Sequence, residues 1–187
     1  MINPYAIGKT IYLRAPRKED LDGRWHEWLS DPEITEFLAD RYWPNSYDAQ
    51  KDFFETIANS RERLVLSVCL IENDQKIGVC NLSSINWLHR YADIAFLIGE
   101  KKYQNGTITI ELMSLMLQIA FQRLNLLNLK SVHLSVHPST PIIEKIFGFK
   151  ECGRLKKIYN YKGEYVDSVI SQLSKVEWME RNTKVNN

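Results

Sequence analysis

No run of this chain is apolar for long enough to cross a bilayer, and its first residues, MINPYAIGKT, lack the apolar core of a secretory signal. An excess of one charge is also missing. Lys and Arg number 24 against 23 Asp and Glu, a formal net charge of +1. That balance removes the usual electrostatic basis for binding nucleic acid or an anionic membrane surface. Cysteine is scarce: Cys69, Cys80 and Cys152 are odd in number and widely spaced, so neither a disulfide framework nor a metal centre is expected. Repeats, low-complexity tracts and interdomain linkers are absent too. The expectation is a cytoplasmic protein with one domain over 1–187, a core over 11–178 and a polar tail from 179.

What is present suits a packed interior. Apolar residues make up 44% and charged residues 25% of 187 positions, enough to bury a sizeable core. Ile11–Arg14 reads as a first strand. Helical spacing of Leu21, Trp25, Trp28 and Leu29 predicts a helix over Glu19–Leu29. SDPE at Ser30–Glu33 signals the start of a second, short helix ending near Leu38. Ala39–Asn45 is an aromatic loop, and Ser46 caps a third helix reaching about Asn59.

Strands follow over Leu64–Ile71, Lys76–Ile85 and Tyr91–Ile98, and their short connections imply antiparallel pairing. Ile108–Leu124 is a helix apolar nearly all round, hence buried on most of its surface, with a narrow stripe of Glu111, Ser114, Gln118 and Gln122. Lys130–Val136 is another strand. Thr140–Pro141 opens a helix that Gly148 stops, and Phe149–Tyr159 pairs with Tyr165–Leu173 in a terminal hairpin. This order describes a mixed α/β fold: a twisted, mostly antiparallel sheet of about seven strands with helices on both faces.

The turn EKKYQNGT joins the apolar strand ADIAFLIG directly to the long apolar helix. A strand feeding a helix start gathers unpaired N–H groups at the positive end of the helix dipole, a fitting seat for a phosphate or pyrophosphate.

In order and spacing, these landmarks resemble the GNAT acetyltransferases, in particular the branch that holds ribosomal-protein N-terminal acetyltransferases and many small-molecule enzymes. The resemblance runs from Ile11 to Trp178 through Asp31–Glu33, Ile77–Gly78, Ala92–Gly99, Tyr103–Glu111, Thr140–Phe149, Gly153–Arg154 and Tyr165–Asp167. It implies that acetyl-CoA is the cosubstrate. Its pyrophosphate would sit on Gln104, Asn105, Gly106, Thr107, Ile108 and Thr109, the counterpart of the family's Gln/Arg-x-x-Gly-x-Gly/Ala turn. Thr107 and Thr109 replace small residues there, and their Cβ atoms would crowd the phosphates. One consequence to test is a chain that keeps the fold as a binding or regulatory module with impaired acetyl-CoA binding.

The resemblance also assigns roles at the reacting centre. Backbone amides of Ile98 and Gly99 would orient the thioester. Asp93, on the strand face opposite Ile94 and Phe96, would relay the amine's proton through water, or serve as a structural acceptor. Glu144 takes the place of a tyrosine that protonates the leaving thiolate in relatives; that role needs burial and a raised pKa, and the plainer reading is an exposed charge beside Lys145. His133, Ser135 and His137 share a strand face; serine is a poor base, and His137 stands where an asparagine holds the pantetheine arm, or is simply a turn residue before Pro138.

Trp25, Trp28, Tyr42 and Trp43 would line the acceptor pocket, or else form a hydrophobic lid. Asp31, Glu33 and Asp40 would hold a cationic amine, or merely complement a helix dipole. The acceptor expected is the primary amine of a small molecule (amino sugar, polyamine or antibiotic), with a protein N-terminus as the alternative. Neither nucleic acid nor membrane is an expected partner, and the terminal hairpin's edge strand is compatible with a homodimer.

Overall fold

Strands β1 (Ala6–Ile7), β2 (Ile11–Arg14), β3 (Leu64–Leu70), β4 (Lys76–Asn86), β5 (Tyr91–Ile98), β6 (Asn128–Leu134), β7 (Lys150–Tyr161) and β8 (Glu164–Ser174) form one sheet. The structure is a computed structural model that describes residues 1–39 and 41–185. Across the sheet the order is β1-β2-β3-β4-β5-β6-β8-β7, and every neighbouring pair is antiparallel except β5 and β6.

Helices cover both faces, as expected. On one, α1 (Trp25–Ser30) and α2 (Tyr47–Ala58) pack Trp25, Trp28, Phe53 and Ile57 against Val65, Val79 and Leu97. On the other, α3 (Gly106–Gln118) buries Ile108, Leu112, Met113 and Met116 with Ile94 and Ile98, while α4 (Thr140–Phe147) adds Ile143 and Phe147. A π-helical turn over Ile119–Arg123 extends α3. Among the described residues, no helix is long and apolar enough to cross a membrane.

The longer strands lie close to where the alternation and turn signals put them, with β6 starting and ending two residues earlier than expected, but four further features differ. The eighth strand is β1, only two residues long and invisible to periodicity. The turn that joins it to β2 is held from across the sequence: Glu111 Oε1 accepts from the N–H of Thr10 at 2.8 Å and of Ile11 at 3.2 Å. Second, Glu19–Leu29 is not one helix. Asp20 is drawn into a buried bidentate pair with Arg14, both bonds 2.8 Å, and also accepts from Arg17 N and Ser67 Oγ. That leaves Lys18–Asp20 as a single 3-10 turn, and α1 starts only past Gly23, at Trp25.

Third, no helix follows SDPE. Asp31 caps a turn, accepting from Glu33 N at 2.8 Å, but the Arg41 guanidinium takes the Glu36 carbonyl, and the segment stays a series of turns. Fourth, the polar segment after Trp178 is helical as far as Val185: α5 (Lys175–Val185) begins at a Ser174–Glu177 capping box and buries Trp178 against Phe121, centroids 5.4 Å apart.

Candidate functional site

Strands β5 and β6 pair in parallel over three positions only: Tyr91 with Asn128, Ala92 with Leu129, and Asp93 with Lys130. Beyond that point β5 continues beside β4 and β6 beside β8, each without the other. The strands therefore part, and a cleft of about 160 Å³ opens between them, lined by Ile94, Phe96, Met113, His133, His137 and Glu144.

The edge that β5 turns to this cleft carries main-chain groups. Gly99 N donates to Ile77 O at 2.9 Å, which sets the phase of the antiparallel β4–β5 ladder. Alternation then turns the N–H and C=O of Phe96 and Ile98 away from β4, toward the gap. The Ile98 carbonyl accepts from Gln104 Nε2 at 2.8 Å, on that side. Of the two amides expected to meet a thioester, Ile98 thus faces the cleft, while that of Gly99 is engaged with Ile77. Phe96, which the sequence reading passed over, offers its N–H in the same direction.

The start of α3 is tied to the end of β5 through the Gln104–Ile98 hydrogen bond. Of the six main-chain groups over Gln104–Thr109, four N–H donors are used within the turn: Gln104 to Lys101 O, Asn105 to Tyr103 O, Ile108 to the capping Asn105 Oδ1, and Thr109 to Asn105 O. Gly106 and Thr107 keep theirs unpaired among the described residues, at the positive end of a 13-residue helix. The crowding expected of two threonines is halved. Thr109 is buried and its hydroxyl donates to Asn105 O at 3.0 Å, so it faces inward; only Thr107 faces solvent. A Cβ at Gly106 would meet nothing within 4 Å. An anion therefore has both room and donors here.

The floor of the cleft carries buried titratable groups. Glu144 is not an exposed helical charge: only 6% of it is accessible. Its Oε2 faces His133 Nε2 at 3.5 Å, and His133 Nδ1 meets the Leu134 carbonyl at 2.9 Å. The carbonyl fixes one ring hydrogen on Nδ1, so a further proton must lie between Nε2 and the carboxylate. Burial pushes the Glu144 pKa up, yet its polar neighbours, His133 foremost, outweigh it and hold it below the ordinary value. Burial likewise opposes charge on His133, but Glu144 and the Leu134 carbonyl win and raise its pKa. Both shifts favour the charged forms, imidazolium and carboxylate, and Glu144 lacks the raised pKa that the role of a lone acid requires. Its i-to-sheet partner His133 went unassigned in the sequence because only the fold sets α4 over β6.

His137 and Ser135 lie past the end of β6, in the turn before α4, rather than on the strand. Nδ1 of His137 accepts from the N–H of Ser139 and Thr140 at 3.3 and 3.2 Å, capping α4. Burial and the nearby His133 push its pKa down to about 4. The ring is neutral, with its remaining proton on Nε2, a donor on the wall of the cleft.

Asp93 closes the junction, its Oδ1 3.0 Å from Lys130 Nζ. By alternation it shares a face with Leu97, the face that α1 and α2 cover.

The residues expected around an acceptor divide. Trp25 and Trp28 are 2% and 1% accessible, so they pack in the core rather than line a pocket. Tyr42 and Trp43 are exposed, and Glu33 pairs with Lys101, which also meets Asp31 at 3.3 Å. Asp40 lies outside the described residues. The loop between α1 and α2 is strapped to the β7–β8 tip: Tyr42 Oη donates to Asn160 O at 2.9 Å, and Glu36 accepts from Tyr161 Oη at 2.8 Å and pairs with Lys162 at 2.6 Å. Under this strap Phe37 stacks between His137 and Tyr161, centroids 4.6 and 5.8 Å away, and roofs the cleft.

Residues 10–147 match the model of the acetyltransferase (GNAT) domain. The chain belongs to the GNAT acetyltransferase family. Its reaction class is therefore acyl transfer. A curated relative, an uncharacterized N-acetyltransferase of Bacillus licheniformis, is 26% identical over 174 residues, covering 90% of this chain and 94% of the relative. The same fold recurs in the crystal structure of a Vibrio cholerae spermidine N-acetyltransferase in complex with CoA and spermine. The TM-score is 0.83 at 21% identity, over 90% of this chain and 98% of that one. A GNAT-family acetyltransferase of Bacillus anthracis superposes with a TM-score of 0.77 at 15% identity, over 92% of this chain and 99% of that one.

Proposed function

We propose that the protein transfers the acetyl group of acetyl-CoA to a primary amine of a small molecule by direct attack within a ternary complex. The observation that carries this reading is the parting of β5 from β6 after the Asp93–Lys130 pair, beside a helix start with two unpaired N–H groups.

In this reading Gly106 and Thr107 N–H hold the pyrophosphate, and the pantetheine arm lies along the free edge of β5. The N–H groups of Phe96 and Ile98 face the carbonyl oxygen, where negative charge grows as the amine attacks. The amine arrives from the α1–α2 face and must be neutral to attack; Asp93, oriented by Lys130, takes up its proton through water. The C–S bond breaks, and the thiolate draws a proton from the His133–Glu144 pair, which solvent recharges. Neutral His137 donates through Nε2 to the arm.

A small acceptor is favoured over a protein N-terminus because the strap and Phe37 roof the cleft, whereas a peptide needs an open groove. The spermidine acceptor named for the Vibrio cholerae neighbour makes polyamines the first class to try. Calorimetry should show one acetyl-CoA bound per chain, and a thiol-release screen across polyamines, amino sugars, aminoglycosides and peptides should yield turnover with a small amine. Absence of acetyl-CoA binding at millimolar ligand overturns the reading; turnover confined to peptides overturns its acceptor.

A further inference from the structure

A second and larger cavity, about 410 Å³, lies on the far side of α4 from the cleft, between that helix and β7–β8. The two share a wall, since His133 and Glu144 line both. Around this cavity stand Lys145, Lys150, Arg154 and Arg181. Lys150 is paired with Glu177 at 2.5 Å, and Arg154 with Glu151 and Asp167 at 2.9 and 3.5 Å. Arg181 Nη2 donates to Ile146 O at 3.0 Å. Lys145 is exposed and has no ion pair among the described residues. On the floor Glu144 Oε1 is buried without a hydrogen-bond partner among the described residues, in a side chain more than nine-tenths buried.

That combination is selective. Cationic walls call for an anion, yet Glu144 Oε1 is a buried acceptor that repels a bare one and is costly to leave unpaired. A ligand that satisfies both must be an oxyanion with an O–H of its own. Hydrogen phosphate carries one near neutrality, and a phosphate monoester carries one in mild acid, around and below its second pKa of about 6; sulfate, of the same shape, does not.

We propose that this second cavity binds a protonated oxyanion of the hydrogen-phosphate class, with Glu144 Oε1 accepting the ligand's O–H and with Lys145 and Arg154 facing its remaining oxygens. The volume leaves space for an ester substituent beyond the phosphate itself. This site is separate from the start of α3, where acetyl-CoA is placed above, and does not depend on that assignment. Because its floor is also the floor of the cleft, occupancy here is felt by the proton that His133 and Glu144 share.

The test is calorimetry on the full chain without acetyl-CoA, at mildly acidic pH of about 6, where phosphate keeps its proton, using inorganic phosphate, glycerol phosphate and sulfate as probes. Expected is one phosphate per chain, bound at least about tenfold more tightly than sulfate, the value of one charge-assisted hydrogen bond. Tighter glycerol phosphate than phosphate identifies an ester as the ligand; the reverse identifies the free ion. Glu144→Gln offers sulfate an amide donor, so the preference should fall toward parity. Lys145→Glu, at an exposed position, should weaken both anions and keeps the test decisive if the buried variant does not fold. Sulfate binding equal to phosphate, indifference to Lys145→Glu, displacement of phosphate by CoA, or no phosphate binding at all would each overturn the proposal.

Discussion

The indole of Trp28 lies over Gly99 so closely that a Cβ on the glycine would stand 1.9 Å from Cδ2, while the indole Nε1 donates to Glu100 at 3.3 Å. The contact locks α1 to the end of β5, where the strand leaves the sheet for the turn into α3. Gly99→Ala should therefore cost about 1–3 kcal/mol by overpacking, seen as a lower urea midpoint with unchanged m. A stability equal to that of the parent chain contradicts the contact.

Thr107 sets affinity and stability against each other. A glutamate there places negative charge in the first turn of α3, which should add about 0.3–1 kcal/mol of helix stability through the dipole. The same charge sits beside the proposed pyrophosphate seat. Thr107→Glu is expected to raise the melting temperature slightly and to weaken acetyl-CoA by about tenfold or more, the effect of a like charge in a partly screened site. Unchanged affinity would place the cosubstrate elsewhere.

Asp20 anchors a buried charge network. Burial alone would raise its pKa, but Arg14, Lys76 and the Arg17 N–H together lower it to about 2. The carboxylate's contribution is thus complete above its ordinary value of 3.8 and is lost as pH falls toward about 2. Asp20→Asn strands the Arg14 guanidinium and should cost about 3–5 kcal/mol near neutral pH. The deficit should shrink in acid, which denaturant curves at several pH values would reveal.

The His133–Glu144 pair has its own window. Glu144 has a lowered pKa, so its stabilisation is present above the ordinary 4.5 and lost on acidification through its folded value. His133 has a raised pKa, so its stabilisation is present below the ordinary 6.5 and lost as pH climbs through its folded value. The stability difference between parent and Glu144→Gln should peak between those two pH values and decline on both sides. A flat difference would remove the ion pair.

The seven longer strands and the helices α2, α3 and α4 were legible because each carries a local signal: alternation, a capping Ser46 or Asn105, a stop at Gly148 whose φ of 88° suits glycine. The misreadings share one physical cause, side chains engaged by distant partners. Asp20 is diverted by Arg14, the turn after α1 by Arg41, and Glu111 by the backbone of β2, none of which leaves a periodic trace. The site follows the same rule. The anion seat of Gly106 and Thr107 shows in the order strand, turn, helix, whereas the burial of Glu144 depends on His133 arriving beneath α4 from another element.

The strap across the cleft ties Glu36 to Tyr161, 125 residues further along. Closing so long a loop costs chain entropy that only the completed hairpin can offset. During synthesis most of the sheet has emerged before Tyr161 leaves the ribosome, but the roof has nothing to fasten to. The entrance is finished last, and nascent chains shorter than the β7–β8 tip carry an open, unguarded groove.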